Sequence, residues 1–510
     1  MDLLIALSPA IIMIVLVIAT RKVLLALGIG FLLSAILLMN WDFETNAVSV
    51  DFLGTLQYMW DSLIGILTSF DWYMPIVGFV VLIGGITAVI SLAGGIQAFA
   101  EWSVKKVKSP MAAQMLTWIL GLLIFIDDYF NALVIGEVSK PVTDRYKISR
   151  AKLSYIIDST SAPIVILMPL STWGAYIIGL MGGLFDDVGY TAHTGFTGFI
   201  AAVPYQFYPI SAIIMVFLTI RLAINFGPMK RFEAGALEGN DESVLESGDT
   251  VSDEDVEGKN ATHWTLIAPV VVLVLSTLII MFAQSGFTGS EFLDQDITLP
   301  LFFAGILSLV TAVGFSMDAE GVQPKSMVTY AAKGMLNMLV TAGSILILAW
   351  LVSGTIQELG VGEMVAGYID EASIANLFIP VIMFMIAGFI AFATGTSWGA
   401  FGILLPIAIP VAMATDQTMM PVIIAAVLGG AVFGDHSSPV SDTTVLSATG
   451  ARSTLHGHFI SQVPYAGVTA LFAALGYLAY GLTGFLIVAY LVIGLAIFGF
   501  VLFYQKILNR

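Results

Sequence analysis

Long uncharged runs alternate with short charged segments along the whole chain. Apolar runs over 3–20, 23–39, 74–100, 195–220, 264–283, 299–316, 336–352, 459–480 and 485–504 are each about long enough to cross a bilayer core as a helix. Three further runs carry polar residues at their centres. The run 111–138 holds Asp127-Asp128-Tyr129-Phe130-Asn131, the run 153–181 holds Asp158-Ser159-Thr160-Ser161-Ala162-Pro163, and the run 375–414 holds Thr394-Gly395-Thr396-Ser397-Trp398-Gly399. A fourth run, 419–449, leads through apolar residues into Gly434-Asp435-His436-Ser437-Ser438-Pro439-Val440-Ser441-Asp442-Thr443-Thr444. Residues 52–70 form a weaker apolar piece inside an acidic connection, read as an interfacial or short buried helix.

Basic loops favour the cytoplasm, and this sets the orientation. The run 111–138 has basic residues on both sides: Lys105, Lys106 and Lys108 before it, and Lys140, Arg145, Lys147, Arg150 and Lys152 after it. Both ends are then cytoplasmic, so the run is predicted to be a re-entrant hairpin with its tip near the Asp pair. The run 375–414 has acidic flanks (Glu358, Glu363, Asp370, Glu371 and Asp416) and is predicted to dip in from the other side. The runs 153–181 and 419–449 are predicted to cross as helices broken at their Asp–hydroxyl–Pro motifs. The sum is an all-α integral membrane protein of about eleven transmembrane helices and two re-entrant hairpins, with the N-terminus outside and the C-terminus cytoplasmic. Treating each hairpin as two full spans gives thirteen crossings but places several basic loops outside.

The two halves share an order of motifs. Gly95-Ile96-Gln97 matches Thr355-Ile356-Gln357. The Asp127-Asp128 centre corresponds to Thr394–Ser397, and the Asp158–Pro163 string to Asp435–Pro439. Ser171-Thr172-Trp173-Gly174-Ala175 also has a counterpart in Thr396-Ser397-Trp398-Gly399-Ala400. Four parts are expected: a first repeat, 1–225, of five spans plus the hairpin 111–138; an acidic cytoplasmic linker, 226–262, too poor in apolar surface to pack; a second repeat, 263–482, of five spans plus the hairpin 375–414; and an extra C-terminal helix, 483–510. Opposite starting sides make the repeats inverted, an architecture of secondary transporters with the site near the midplane where broken helices meet.

Composition agrees: of 510 residues, 58% are hydrophobic and 11% charged, and mean hydropathy is +0.95. The net charge of −17 comes largely from one acidic loop and several short clusters, so it implies no nucleic-acid partner. The absence of cysteine excludes disulfides, thiol catalysis and thiolate metal sites. The N-terminus lacks a basic region and a small-residue cleavage site, and is read as a first span.

A carboxylate in lipid costs roughly 2.5–3.5 kcal/mol even on lenient insertion scales, and such residues mark ion or substrate paths. Asp127, Asp128, Asp158, Asp435 and Asp442 are therefore the candidate ion-binding residues. Asn131, Ser159, Thr160, Ser161, Thr394, Thr396, Ser397, Ser437, Ser438 and Thr443 supply further hard oxygens. Asp158 and Asp435, related by the repeat, are the leading Na+ pair. Asp442 can share a helical face with Asp435 or cap the helix that follows. His436 is a candidate for pH modulation. His456 and His458 are read as a solvated loop, Trp173 and Trp398 as packing residues, and Asp144 with Arg145 as a surface pair. No Lys or Arg falls in the predicted membrane cores.

The strings from Phe125-Ile126-Asp127-Asp128-Tyr129 through 158–163 and Ser171-Thr172-Trp173 to 434–444 resemble the NhaC family of Na+/H+ antiporters, in order and over nearly the whole chain. The resemblance implies a bacterial or archaeal inner-membrane carrier that exchanges Na+ for H+, with the five Asp residues on motif positions. No cofactor is implied, since Na+ and H+ are cargo. Expected partners are the lipid bilayer and a second copy of the chain. The exchange itself is competition, because a desolvated carboxylate holds its proton tightly and Na+ favours the ionised form. A Na+- or H+-coupled carrier of a small carboxylate or amino acid is the alternative, its anion held by helix N-termini. A channel fits less well. An enzyme fits least: there is no nucleotide-binding loop or HExxH pair.

Overall fold

The computed structural model describes residues 2–20, 22–42, 47–70, 73–104, 107–244, 258, 260–286, 297–360, 364, 376–439 and 441–508. Among these the chain is helical, save for a short antiparallel pairing of Trp41–Asp42 with Ala47–Val48. The first half runs α1 (Asp2–Ala6), α2 (Ser8–Thr20), α3 (Val23–Asn40), α4 (Phe52–Thr68), α5 (Tyr73–Leu92), α6 (Gly95–Val104), α7 (Pro110–Leu123), α8 (Asp128–Arg145), α9 (Arg150–Val165), α10 (Thr172–Asp187), α11 (Gly195–Ala202), α12 (Phe207–Arg221) and α13 (Pro228–Glu238). The second half runs α14 (Trp264–Gln284), α15 (Thr298–Ser316), α16 (Pro324–Met338), α17 (Ser344–Glu358), α18 (Ile379–Thr394), α19 (Ser397–Thr415), α20 (Met420–His436), α21 (Asp442–Ala451), α22 (Leu455–Thr483) and α23 (Leu486–Phe503).

Nine helices among the described residues are long and apolar enough to cross a membrane, or ten if α11 and α12, bent by 49°, count as one span. Both helices of the 375–414 run are among them. In the 111–138 run α7 has only 14 residues, about 21 Å at 1.5 Å per residue and short of a bilayer core. The expected acidic loops at Glu291, Asp294 and Asp296, and at Glu363, Asp370 and Glu371, lie outside the described residues, as do Arg21, Lys105 and Lys106.

Burial follows helix position. Every residue from Ala151 to Val165 on α9 is buried, and so is nearly all of α20. Around them α14 and α23 present apolar side chains outward: on α23 only Ala489 and Ile493 are buried. A helix apolar on all sides with so little of it covered is one that faces lipid. The 52–70 segment is α4, capped by Asp51 and burying only Thr55 and Ile66.

Three expectations need correction. The break in the first half does not fall at Asp158–Pro163. Helix α9 runs through Pro163 to Val165, and the chain unwinds over 166–171. Pro163 removes one hydrogen bond without ending the helix. Pro169 ends it, because a residue before proline is driven out of the α region. The acidic linker is not unpacked throughout. Its 228–238 part is α13, which buries Met229, Phe232 and Ala236 on one face. Glu233 accepts from Ser149 N and Oγ at 2.8 and 2.6 Å, and Asp241 from Arg150 N at 2.8 Å, so both acids sit at the start of α9. Residues 245–257, with Glu246, Asp249, Asp253, Glu254, Asp255 and Glu257, lie outside the described part. Asp144 pairs with Arg150 at 2.8 Å rather than with Arg145; Arg150 also donates to Ala451 O, which turns it toward the carboxylate.

Glycines set the closest crossings. A Cβ on Gly136 of α8 would lie 2.3 Å from the Gly450 carbonyl carbon of α21, and one on Gly434 of α20 would lie 2.1 Å from Gly388 O of α18. Small residues let helix backbones meet this way where lipid gives no hydrophobic drive for association. Substituting Gly136 by Val should therefore cost at least the about 1–3 kcal/mol typical of overpacking. Thermal melts of purified protein in detergent should show a large fall in Tm for Gly136→Val. They should show no fall for Gly494→Ala, where nothing lies within 4 Å of the added carbon.

Candidate functional site

Four helices begin at one place, and each start is occupied by acceptor side chains of the chain itself. Asp127 is the N-cap of α8, its Oδ1 accepting from Phe130 N at 2.9 Å. Ser171 caps α10 and Ser441 caps α21. Helix α19 begins at Ser397, and its first amide donates to Asp435 Oδ2 at 2.9 Å. Each N-terminus leaves unpaired amides and the positive end of a helix dipole, so carboxylates settle there even away from water.

The bonds between these starts hold the site together. Thr172 Oγ1, at the start of α10, donates to Asp127 Oδ2 at 3.1 Å, and Trp173 Nε1 to Asp128 Oδ1 at 2.9 Å. In the second half Ser397 Oγ and Ser441 Oγ donate to the two oxygens of Asp435, each at 2.6 Å. Links also cross between the halves: Tyr129 OH donates to Asp442 Oδ2, and the rings of Trp173 and Trp398 meet edge-on at 5.7 Å. Asp127, Asp128 and Asp435 are buried, and Asp128 Oδ2 has no hydrogen-bond partner among the described residues. No Lys or Arg is paired with these carboxylates among the described residues. A cavity of about 880 Å³ opens beside them, lined by Asp127, Asp128, Tyr129, Thr396 and Asp442, with Lys22 also on its wall.

The other candidates fall around this cluster. Asn131 braces the first hairpin, its Nδ2 donating to Gly121 O and Ile124 O at 2.9 and 2.6 Å. Ser161 Oγ donates to Asp128 O at 3.0 Å. Thr394 closes α18 before Gly395, which turns the chain at φ 71°, and both line the cavity with Thr396. Thr443 Oγ1 lies 2.8 Å from Ser441 Oγ. Ser437 Oγ donates to Phe433 O within its own helix end, and Ser438 Oγ to Phe392 O of α18 at 2.7 Å. Thr160 Oγ1 donates back to Ile156 O at 2.6 Å, and Ser159 is buried beside it on α9.

Asp158 stands apart. It lies in the middle of α9, its Oδ2 meeting His458 Nε2 at 3.1 Å and Gln462 Nε2 at 2.6 Å. It has no bond to Asp435, so the repeat-related pair occupies two different surroundings. His458 is fully buried, not in a solvated loop, while His456 is exposed. The reason is helical spacing: His458 and Gln462, four apart on α22, share the face that covers α9. His436 Nε2 lies 2.8 Å from Tyr208 OH. Lys152 is also buried, donating to Asn225 Oδ1 at 3.0 Å and to Ile224 O at 3.4 Å. Trp173 is a hydrogen-bond donor to the site as well as a packing residue.

The residues that sequence reading left out of the site are Tyr129, Thr172, Trp173, Tyr208, His458 and Gln462. Thr172 was within reach, since it stands just past Pro169 in a Ser-containing N-cap string that starts a helix. Ser441 belongs to the hydroxyl-rich string around Asp435 and Asp442 in the sequence, and it donates to Asp435.

Comparison with known proteins places this geometry. The Na+/H+ antiporter family matches residues 164–482. An uncharacterized protein of Haemophilus influenzae is 34% identical over 495 residues, covering 93% of this chain and 90% of its own. A malate-2H(+)/Na(+)-lactate antiporter of Bacillus subtilis is 28% identical over 224 residues, 42% of this chain and 44% of that one. The solved YdaH transporter of Alcanivorax borkumensis shares the fold at TM-score 0.59, with 14% identity, over 94% of this chain and 99% of that one. MtrF of Neisseria gonorrhoeae shares it at TM-score 0.54 and 16% identity, over 85% of each. With the family matched from the end of α9 to the end of α22, and a relative aligned along nearly its full length, the chain belongs to the Na+/H+ antiporter family.

Proposed function

We propose that this multi-pass membrane transporter exchanges Na+ for H+ across a bacterial or archaeal cytoplasmic membrane by alternating access, with Na+ held at Asp435. The observation that carries this reading is that four helix N-termini converge and are filled by the protein's own carboxylates and hydroxyls. An anionic substrate would find those dipoles already taken. A cation would find Asp435 with Ser397 Oγ and Ser441 Oγ in contact, two hydroxyls that can turn their lone pairs toward it. Asp128, with one free oxygen, and Asp442 border the adjoining cavity and extend the same oxygen-rich surface. Hard oxygen donors suit a small hard cation.

The recurrence of hairpin, broken helix and a further span in α7–α12 and again in α18–α22 supports the inverted-repeat reading, the further span being the bent pair α11–α12 in the first half and the single helix α22 in the second. In it the two hairpin tips lie at the membrane midplane, and opposite rocking of the halves exposes the site to each side in turn. The 14-residue α7 supports a re-entrant first hairpin.

In liposomes with a trapped pH dye, a Na+ gradient alone should drive proton movement, and choline should not. Asp435→Asn should abolish it. Ser397→Ala keeps the backbone donor but loses the hydroxyl. It should raise the Na+ concentration for half-maximal exchange about tenfold or more, the worth of a hydrogen bond to a charged group. Normal exchange in Asp435→Asn would refute the assignment.

A second reading has its own observation. The cavity of about 880 Å³ exceeds the needs of a bare ion, and Lys22 lies on its wall. The Bacillus relative is named for malate and lactate. If a small carboxylate is also carried, malate or lactate should stimulate Na+-dependent proton movement, and Lys22→Gln should remove that stimulation while leaving the Na+-alone rate. No effect of either acid would confine the cargo to cations.

A further inference from the structure

The buried polar group around Asp158 is not explained by a cation site at Asp435. Asp158 lies mid-helix, with no helix N-terminus, Lys or Arg aimed at its carboxylate among the described residues. Asp435, Asp127 and Asp442 each draw on the amides of a helix start, whereas Asp158 relies on two side chains of α22. One of those is a histidine, with both partners of the contact fully buried. Both donors meet the same oxygen, and Asp158 Oδ1 and His458 Nδ1 are each buried without a hydrogen-bond partner among the described residues. Either atom can take a proton without breaking an existing bond. Uptake of one proton turns a buried site of charge −1 into a neutral one, and release restores the charge.

We propose that the Asp158–His458 pair is the proton-carrying site of the exchanger, distinct from the carboxylates that hold Na+ and joined to them through Gln462. The joint is explicit. Gln462 Nε2 donates to Asp158 Oδ2 and also to His436 O, the residue after Asp435 in the last turn of α20. Losing the proton leaves a buried negative charge that a Na+ at Asp435 offsets at a distance. Gaining it removes that attraction and changes the demand on Gln462 at the end of α20. Na+ and H+ then oppose each other by coupling between two sites rather than by sharing one carboxylate. This rests on the Na+ reading above and adds where the proton sits.

The titratable groups brought toward the pair by neighbouring helices are few. They are His436 on α20, Tyr208 on α12, Asp442 on α21, Asp128 on α8, Tyr155 on α9 itself and Tyr465 on α22. Helices α7 and α18 carry none. On α13, Glu233 is engaged by Ser149 at the far end of α9. On α10, Tyr176 carries the only other ionisable group besides the terminal Asp186 and Asp187. Lys152 is turned away toward Ile224 O and Asn225. Against that set, His458 is the imidazole in direct contact with the buried Asp158 carboxylate. Two groups in such contact gain and lose a proton as a pair.

The test is reciprocal. In wild-type protein in detergent, Na+ binding measured calorimetrically should weaken as pH falls, by up to about tenfold per pH unit, between the titrations of the Na+-bound and Na+-free pair, and level off outside them. His458→Gln keeps an amide donor for Asp158 but cannot titrate there. It should lose most of the pH dependence of Na+ binding, whatever its affinity at high pH. By linkage, Na+ should shift the titration of the His458 ring, followed by nitrogen NMR of labelled histidine, by the same factor. Wild-type pH dependence retained in His458→Gln would overturn the proposal. So would a His458 ring whose nitrogen signals show neither its own protonation nor that of the Asp158 carboxylate beside it from about pH 5 to 9. If the ring titrates, and Asp158→Asn alters that titration, but no Na+ binds at any pH, the proton site stands and the Na+ reading fails instead.

Discussion

The whole centre of this protein depends on seating carboxylates inside an apolar interior with no basic side chain paired to them among the described residues. Helix ends do this. A helix start offers several unpaired amides, and a carboxylate there gains hydrogen bonds and dipole together. To bring several starts to one point, the chain must stop and restart helices inside an apolar interior. The turn at Pro169, the residues around Pro439, the Gly395 turn and the Ile124–Asp127 connection are those stops. Each exposes backbone that only a buried, bonded setting tolerates. The site and the breaks are thus one requirement seen from two sides.

The same arrangement binds the halves to each other. Tyr129 of the first half reaches Asp442 of the second. Gln462 and His458 of the second reach Asp158 of the first. Asp127 and Asp435 are each bonded within their own half, whereas Asp442 and Asp158 draw partners from the other. Around it, helices such as α14 and α23 need no more than apolar side chains.

Much of this could be read from residue order. Long apolar runs gave the helices, and the Asp-bearing interruptions marked where they meet. Asp435, Asp127 and Asp128 stood out because a charge in such a run is costly, and Asp127 meets that cost in a plain structural way, as the N-cap of α8. The partners were harder. Trp173 looks like packing until its ring nitrogen is placed against Asp128. His458 stands beside Arg452 and an exposed His456 in the sequence, and only the register of α22 against α9 turns it inward. Pro163 looked like the break because proline usually ends helices, yet the effective one was Pro169, six residues on. The packed start of the linker was missed because its acids dominate the composition, while Met229, Phe232 and Ala236 are spaced to form one apolar face.

The contact between Gly136 and Gly450 has a mechanical meaning. Two helices that meet through side chains can slide, since rotamers give by an ångström or so. Two that meet backbone on backbone have no such play. The arm following the first hairpin tip and the segment following the second break therefore lie in backbone contact, with no side chain between them to take up a change in spacing.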